Sequence, residues 1–271
     1  MTPIRVADLD VNVVERGDVD ADFTAVFLHA AHVDHRMAQA AFEPVVGARV
    51  RWRRLYLDLP GSGRTPAPSW ISSPEDVADV VQQALSLTCP AGQFALAGIS
   101  YGGYVAQRVL ARDPSRVSGV ALVVPGIYGE MERRDVPSVG SLVEEPGLEY
   151  DPAGAFASIT AIRTAETLRR TDDSIRAALE LTDSNAYERI YAGFTNTTPP
   201  APAQFDGPSL VLTGRQDWMT GYTDAWRHFG SWSRTTFAVL DYCGHNLQNE
   251  RPVLFNALVA DWLDRLEEHL A

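Results

Sequence analysis

The sequence predicts an α/β fold with a mostly parallel central sheet. Three observations predict it. An apolar strand, an apolar helix and a second apolar strand follow one another between Phe94 and Val124 with short joints, the unit that builds parallel sheets with right-handed crossovers. The same rhythm returns after Pro208. Between Gly126 and Pro208 no buried strand is expected, only helices.

Each element can be justified in turn. Ile4 to Ala7 and Val11 to Glu15 alternate in polarity around Asp8 to Asp10 and read as a hairpin. Ala25 to His29 and Leu55 to Leu59 are continuous apolar strands, the second ending at Pro60-Gly61. Pro74 to Leu87 reads as a helix: Ser73 suits the N-cap, Pro74 the first helical position, and Glu75 and Asp76 the positive helix end. Val77, Val80, Val81, Ala84 and Leu85 share one face of it. Phe94 to Ile99 (strand), Tyr101 to Arg112 (helix) and Val117 to Val124 (strand) form the central unit. Ala155 to Arg169, Ser174 to Leu181 and Asn185 to Phe194 read as helices, followed by a Pro-rich joint from Thr198 to Pro202. Ser209 to Thr213 and Thr236 to Leu240 are strands flanking a helix from Tyr222 to Phe229. A last helix, Pro252 to His269, places Phe255, Leu258, Trp262 and Leu266 on one face. The chain thus divides into a core of residues 1–125 and 208–271, with about eight strands and helices on both faces, and a helical cap over 126–207. An insertion of roughly 80 residues is too long for a plain loop.

Composition narrows the function classes. A formal net charge of −12 argues against nucleic acid and against an anionic membrane surface, both of which select basic proteins. The one basic run, Arg49, Arg51, Arg53 and Arg54, alternates with Val50 and Trp52 and reads as the solvated face of a strand. Two cysteines, Cys89 and Cys243, make neither a disulfide framework nor a short-spaced metal motif. The first residues lack the apolar core of a signal peptide, and no run reaches the ~20 apolar residues of a spanning helix. The expectation is a cytoplasmic enzyme, monomer or homodimer, acting on a small molecule.

The chemistry is expected at strand ends. Gly98-Ile99-Ser100-Tyr101-Gly102 fits G-x-S-x-G between an apolar strand and an apolar helix. A sharp turn there strains the serine and exposes its hydroxyl where open α/β sheets place ligands. A serine needs a base. Of six histidines, His245 in Cys243-Gly244-His245-Asn246 lies past a strand end, with Gly244 permitting a tight turn; His228 and His269 sit on solvated helices. The base needs an orienting carboxylate. Asp217 follows the strand Ser209 to Thr213, with Asp241, close to His245 in the chain, as the runner-up.

The order Ser100, Asp217, His245 resembles that of the α/β-hydrolase superfamily. Further motifs are similar to the family's: Phe27-Leu28-His29 before the oxyanion loop, Asp58-Leu59-Pro60-Gly61-Ser62-Gly63-Arg64-Thr65, Leu212-Thr213-Gly214-Arg215-Gln216-Asp217, and Gly244-His245-Asn246. The resemblance covers nearly the whole chain and implies an α/β-hydrolase fold, a cap, no cofactor or metal, and an oxyanion hole from the amides of Tyr101 and Ala31. One departure stands out. Ala30 occupies the position where the family usually has glycine, so either the loop keeps negative φ there or the oxyanion hole is altered. The same loop holds His29, His32 and His35. His32 either faces solvent or donates a proton at the mouth of the site, and His32, Asp34 and His35 form a weak metal pattern. For substrate contact Tyr128, Phe156, Tyr187, Tyr191 and Phe194 are candidates from the cap, with Tyr101 and Trp218 beside the triad. Three functions stay open: hydrolysis of an ester, lactone or C–C bond in a largely apolar carbonyl compound; a cofactor-free lyase or cyclase; and a binding protein without turnover.

Overall fold

A computed structural model describes residues 3–90, 92–138, 140–179, 181–196 and 204–271. The Pro-rich joint at 198–202 lies outside the described residues.

The chain opens with β1 (Ile4–Val6) and β2 (Leu9–Val11), paired antiparallel in a separate small sheet. β3 (Val13–Arg16), β4 (Phe23–Leu28), α1 (His35–Val46), β5 (Trp52–Leu57), α2 (Pro74–Thr88), β6 (Phe94–Ile99), α3 (Tyr101–Arg112) and β7 (Val117–Val123) follow. The insertion carries β8 (Val143–Glu144), α4 (Ala155–Ile159), β9 (Ile162–Arg163), α5 (Ala165–Leu179) and α6 (Ser184–Ala192). β10 (Ser209–Gly214), α7 (Thr223–Phe229), β11 (Thr235–Leu240), α8 (Leu247–Glu250) and α9 (Pro252–Leu270) close the chain. The main sheet runs β11-β10-β7-β6-β4-β5-β3, parallel except for β3. One face packs against α1 and α9, the other against α2 and α3.

The sheet has seven strands, against about eight expected, because the first hairpin is split differently. Its turn falls at Ala7-Asp8, with Ala7 at φ 52°. Asn12 then breaks β2 from β3: its amide donates to Thr65 Oγ1 at 2.9 Å and its side chain to Asp58 Oδ2 at 2.8 Å. Helix α1 has no counterpart among the expected elements. Asp34 caps it by accepting from the Arg36 amide, and Pro44 inside it obscures the pattern. The helix expected over Ala155 to Arg169 is two helices. α4 stops at Ile159, β9 pairs parallel with β8, and Thr164 and Thr167 exchange amide-to-hydroxyl bonds at the start of α5. The helix expected over Ser174 to Leu181 falls on the end of α5, which closes at Leu179. The arginine run is only partly solvated. Arg54 is buried and donates to Glu43 Oε1 at 2.9 Å, while Arg49, Arg51 and Arg53 pair with Glu267, Asp22 and Glu15.

Candidate active site

The turn from β6 into α3 positions Ser100. Its backbone sits at φ 53°, ψ −111°, a strained region for a residue with a Cβ. The surroundings fix it there. Its amide donates to Val123 O at 2.8 Å, and its carbonyl accepts from Tyr104 and Gly126. Both flanking glycines are required by close approach: a Cβ on Gly98 would stand 2.4 Å from Gly102 O, and one on Gly102 2.4 Å from His29 O. Ser100 Oγ makes no helix-capping bond, so it is more than an N-cap.

The hydroxyl meets His245 Nε2 at 2.8 Å, and His245 Nδ1 meets Asp217 Oδ2 at 3.0 Å. These partners assign the tautomer: Nδ1–H donates to the carboxylate, leaving Nε2 to accept the serine proton. Asp217 is fully buried. Burial alone would raise its pKa, but His245 and the Thr220 hydroxyl and amide outweigh this and hold it below the usual carboxylate value. Its Oδ1 also accepts from the Met219 amide at 2.8 Å. Asp241, the alternative acid, is exposed and accepts from Gln216 instead.

The triad opens into a cavity of about 480 Å³, largely apolar, lined by Met37, Ile99, Ile159, Ile175 and Leu179 among others. Ala31, Tyr101, His32 and Tyr128 line it; Trp218 does not. The turn closed by the Asp217 carboxylate brings Met219 and Thr220 to the cavity and buries Trp218 behind them. Among the cap aromatics Tyr191 and Phe194 line the cavity; Tyr187 packs behind His32 and bonds Ser62, and Phe156 packs on Tyr150. Burial keeps the Tyr101, Tyr187 and Tyr191 phenols neutral by pushing their pKa values up, for Tyr187 to about 12.

The loop after β4 resolves the Ala30 question. Ala30 does not take positive φ; His32 does, at 60°. Neither the Ala31 nor the Tyr101 amide donates to a backbone acceptor outside regular elements among the described residues. His29 is structural: Nε2 accepts the Leu59 amide at 2.9 Å and Nδ1 donates to Ala30 O. His32 lines the cavity at its mouth while staying exposed to solvent, against Tyr187 at 4.3 Å between ring centroids, and desolvation lowers its pKa. The metal pattern read at His32, Asp34 and His35 does not assemble as such; Asp34, His35 and Asp58 come together instead. Their atoms are engaged. Asp34 holds Arg36, and Asp58 accepts from His35, Arg64 and Asn12. Gly63, at φ 57°, makes room, since a Cβ would lie 2.2 Å from Asp58 Oδ2. Both cysteines are free and buried, and burial raises their thiol pKa values.

Sequence reasoning missed two residues, one lining the cavity and one buried behind the histidine turn. Arg134 lines the cavity, and its guanidinium donates to Tyr128 O, Gly129 O and Met219 O with no ion pair among the described residues. Nothing in the surrounding Glu132-Arg133-Arg134-Asp135 distinguishes it from a surface charge run. Glu250 fastens the histidine turn, its Oε2 accepting the Gly244 amide. In sequence it reads only as an acid before a helix-starting Pro252.

The fold, with a serine, imidazole and carboxylate in hydrogen-bonded sequence at the strand ends, has the form of an α/β hydrolase. A family model for the alpha/beta hydrolase fold matches residues 27–252, and the chain belongs to that family and is a hydrolase. The 2-hydroxy-6-oxononadienedioate/2-hydroxy-6-oxononatrienedioate hydrolase 1 of Pseudomonas putida is 24% identical over 96% of this chain and 94% of its own length. A hydrolase of the same description from Cupriavidus pinatubonensis is 23% identical over 82% of this chain and 78% of its own. Among solved structures, an alpha/beta superfamily hydrolase from Oenococcus oeni PSU-1 matches with a TM-score of 0.85 at 24% identity, covering 95% of this chain and 96% of that one. A thermophilic esterase from Thermogutta terrifontis matches at 0.74 and 18% identity, covering 98% and 97%. No helix among the described residues is long and apolar enough to cross a membrane.

Proposed function

We propose that the chain is a serine hydrolase that cleaves an ester, a lactone or a C–C bond beside a ketone through an acyl-enzyme. The observation that carries this is the unbroken chain Ser100 Oγ, His245, Asp217 at the head of the cavity. Ser100 Oγ bonds to the substrate carbonyl carbon as its proton passes to His245 Nε2. The amides of Tyr101 and Ala31 receive the oxyanion; one such donor lowers the barrier by about 3 kcal/mol. Collapse breaks the bond to the leaving group, which takes the proton from His245. Water, deprotonated by the same imidazole, releases the acid and restores Ser100. Asp217 orients the imidazole and stabilises its charged form.

The cavity favours a compound that is apolar along its length and acidic at one end. The apolar walls support the first part and Arg134 the second, because a cavity-side guanidinium without a carboxylate partner suits an anionic group. The named relatives act on dioates, which agrees with this reading. The lyase or cyclase alternative drew on Ala30 and on the extra histidines of the same loop; Ala30 keeps negative φ, which withdraws the first motive, while His32 at the cavity keeps the second. A fluorophosphonate probe tests the mechanism. The expected result is stoichiometric labelling of Ser100, abolished in Ser100→Ala; an active enzyme left unlabelled would sink the covalent route.

A further inference from the structure

His245 is held from both sides by the insertion. Asn246, on its C-terminal side, donates its amide to Ile159 O at 3.1 Å and its side chain to Thr160 Oγ1 and Thr171 Oγ1 at 3.1 and 2.7 Å. Gly244, on its N-terminal side, reaches the insertion through Glu250. Glu250 Oε2 accepts the Gly244 amide at 2.8 Å, while Oε1 accepts the amides of Ala161 and Ile162 at 2.8 and 2.7 Å. The Glu250 residue is only 8% exposed, and it makes no ion pair among the described residues. The break between α4 and α5 exists where these two amides turn inward to the carboxylate.

We propose that Glu250 is a positioning residue for the reaction, setting the His245 imidazole against Ser100, and that it does so only as a carboxylate. The inference rests on the proposed roles of Ser100 and His245. An ionised carboxylate accepts all three amides. Adding a proton to Oε2 turns that oxygen into a donor facing the Gly244 N–H, so the histidine turn must shift while the insertion side stays bonded. Protonation of Oε1 would set a donor against two amides and is disfavoured.

The surroundings put this change near neutrality. Burial raises the Glu250 pKa to about 7, the three amides oppose it without winning, and the Asp217 carboxylate adds to the rise. The other groups facing this region do not offset it. The Cys243 thiol is buried and neutral, and the His245 imidazole is committed to Asp217 and Ser100. Arg251 donates to Asp241 O, and Arg170 from α5 donates to Asn249 O and pairs with Glu166.

The test is Glu250→Gln. The glutamine carbonyl replaces Oε1, and its amide group opposes Gly244 N–H as a protonated carboxyl does. A displacement of about 1 Å in a reacting group costs up to about 100-fold. The expected result is a 10- to 100-fold lower kcat, about the scale of that displacement, with KM little changed. The acid limb of log kcat against pH should also lose the deprotonation of Glu250, so that its slope falls by one. Circular dichroism and fluorophosphonate labelling confirm that the variant is folded. In the unmodified protein the Gly244 amide resonance should shift with a midpoint near pH 7, a readout that does not depend on the variant folding. A wild-type kcat and limb in Glu250→Gln, or a Gly244 resonance flat from about pH 5 to 9, would overturn the inference while leaving Ser100 labelling intact. Failure of Ser100 to label in the unmodified protein would instead overturn the proposed function, and this inference with it.

Discussion

The turn that carries Ser100 and the turn that carries His245 lie side by side, yet they are built from different materials. The serine turn is held by main chain of the core: Val123, Tyr104 and Gly126 bond its backbone, and Gly98 and Gly102 pack against carbonyl oxygens. The histidine turn has main-chain bonds too, Asn246 N–H to Ile159 O and Gln216 N–H to Cys243 O, but much of its fastening comes from side chains. Glu250, Asn246 and Gln216 fasten it, the first two to the insertion and the last to the Asp217 loop. A main-chain arrangement is set once the sheet forms. A side-chain arrangement can be moved by protonation or by displacement of the insertion. Under the proposed mechanism, the difference implies that the nucleophile is fixed with the core and that the base is where adjustment enters.

The largest expected effect tests the side-chain half. Asp217→Asn disturbs the imidazole tautomer without touching the serine turn, and is expected to lower kcat by about 10⁴-fold. The measurement is steady-state turnover beside the melting temperature. A tenfold loss or less would mean that Asp217 is not the orienting acid.

The next test sets the two turns against each other through their glycines. In Gly102→Ala the new Cβ meets two backbone oxygens, those of His29 and Leu28 at 2.4 and 2.5 Å. Backbone cannot yield, so the expected destabilisation is about 3 kcal/mol or more, read by urea unfolding. In Gly244→Ala the Cβ meets Ile159 O at 3.1 Å and the Ala161 methyl at 3.3 Å. The insertion gives way by a few tenths of an ångström, so the variant is expected to fold and lose rate. Equal destabilisation in the two variants would erase the contrast.

How the sequence was legible follows the same division. G-x-S-x-G is a local string because main-chain geometry demands glycine at fixed offsets from the serine, and strand ends announce Asp217 and His245. Met219 and Thr220 reach the cavity in place of Trp218 because the Asp217 turn is closed by its own carboxylate, which periodicity does not reveal. The sequence pattern joins α4 to the start of α5 and sets the end of α5 apart, because what separates α4 from α5 is a carboxylate distant in the chain, Glu250. Arg134 was invisible because its partners are carbonyl groups, which carry no residue identity.

The Glu250 carboxylate should also leave a mark on stability, and the sign is informative. Its folded pKa of about 7 exceeds the unfolded value of 4.5, so the folded state keeps a proton that the unfolded state releases between them. Stability therefore falls as pH rises through that window, by about 3 kcal/mol at most, and is level above it. Asp217 acts with the opposite sign, its contribution being lost as pH falls below the unfolded carboxylate value, outside this window. Calorimetry at about pH 5 and pH 8 should show the unmodified protein losing stability relative to Glu250→Gln. Parallel curves would remove Glu250 as a buried titrating group and weaken the contrast between the turns.

The smallest effect concerns selection rather than rate. Arg134 ties the root of the insertion, through Tyr128 O and Gly129 O, to Met219 O in the acid loop, and leaves the histidine turn alone. Of the five N–H groups of a guanidinium, these bonds take three, leaving two for a ligand at the cavity wall. Arg134→Met removes the charge and keeps much of the apolar volume. A bond to a charged group contributes about 1.5–3 kcal/mol, so the kcat/KM ratio of a p-nitrophenyl ester with a terminal carboxylate to its uncharged analogue should fall at least about tenfold. The acid limb of the pH profile should not move, because Glu250 is untouched. An unchanged ratio would leave Arg134 as a clamp between two loops and return the substrate to the uncharged class that the apolar walls alone suggest.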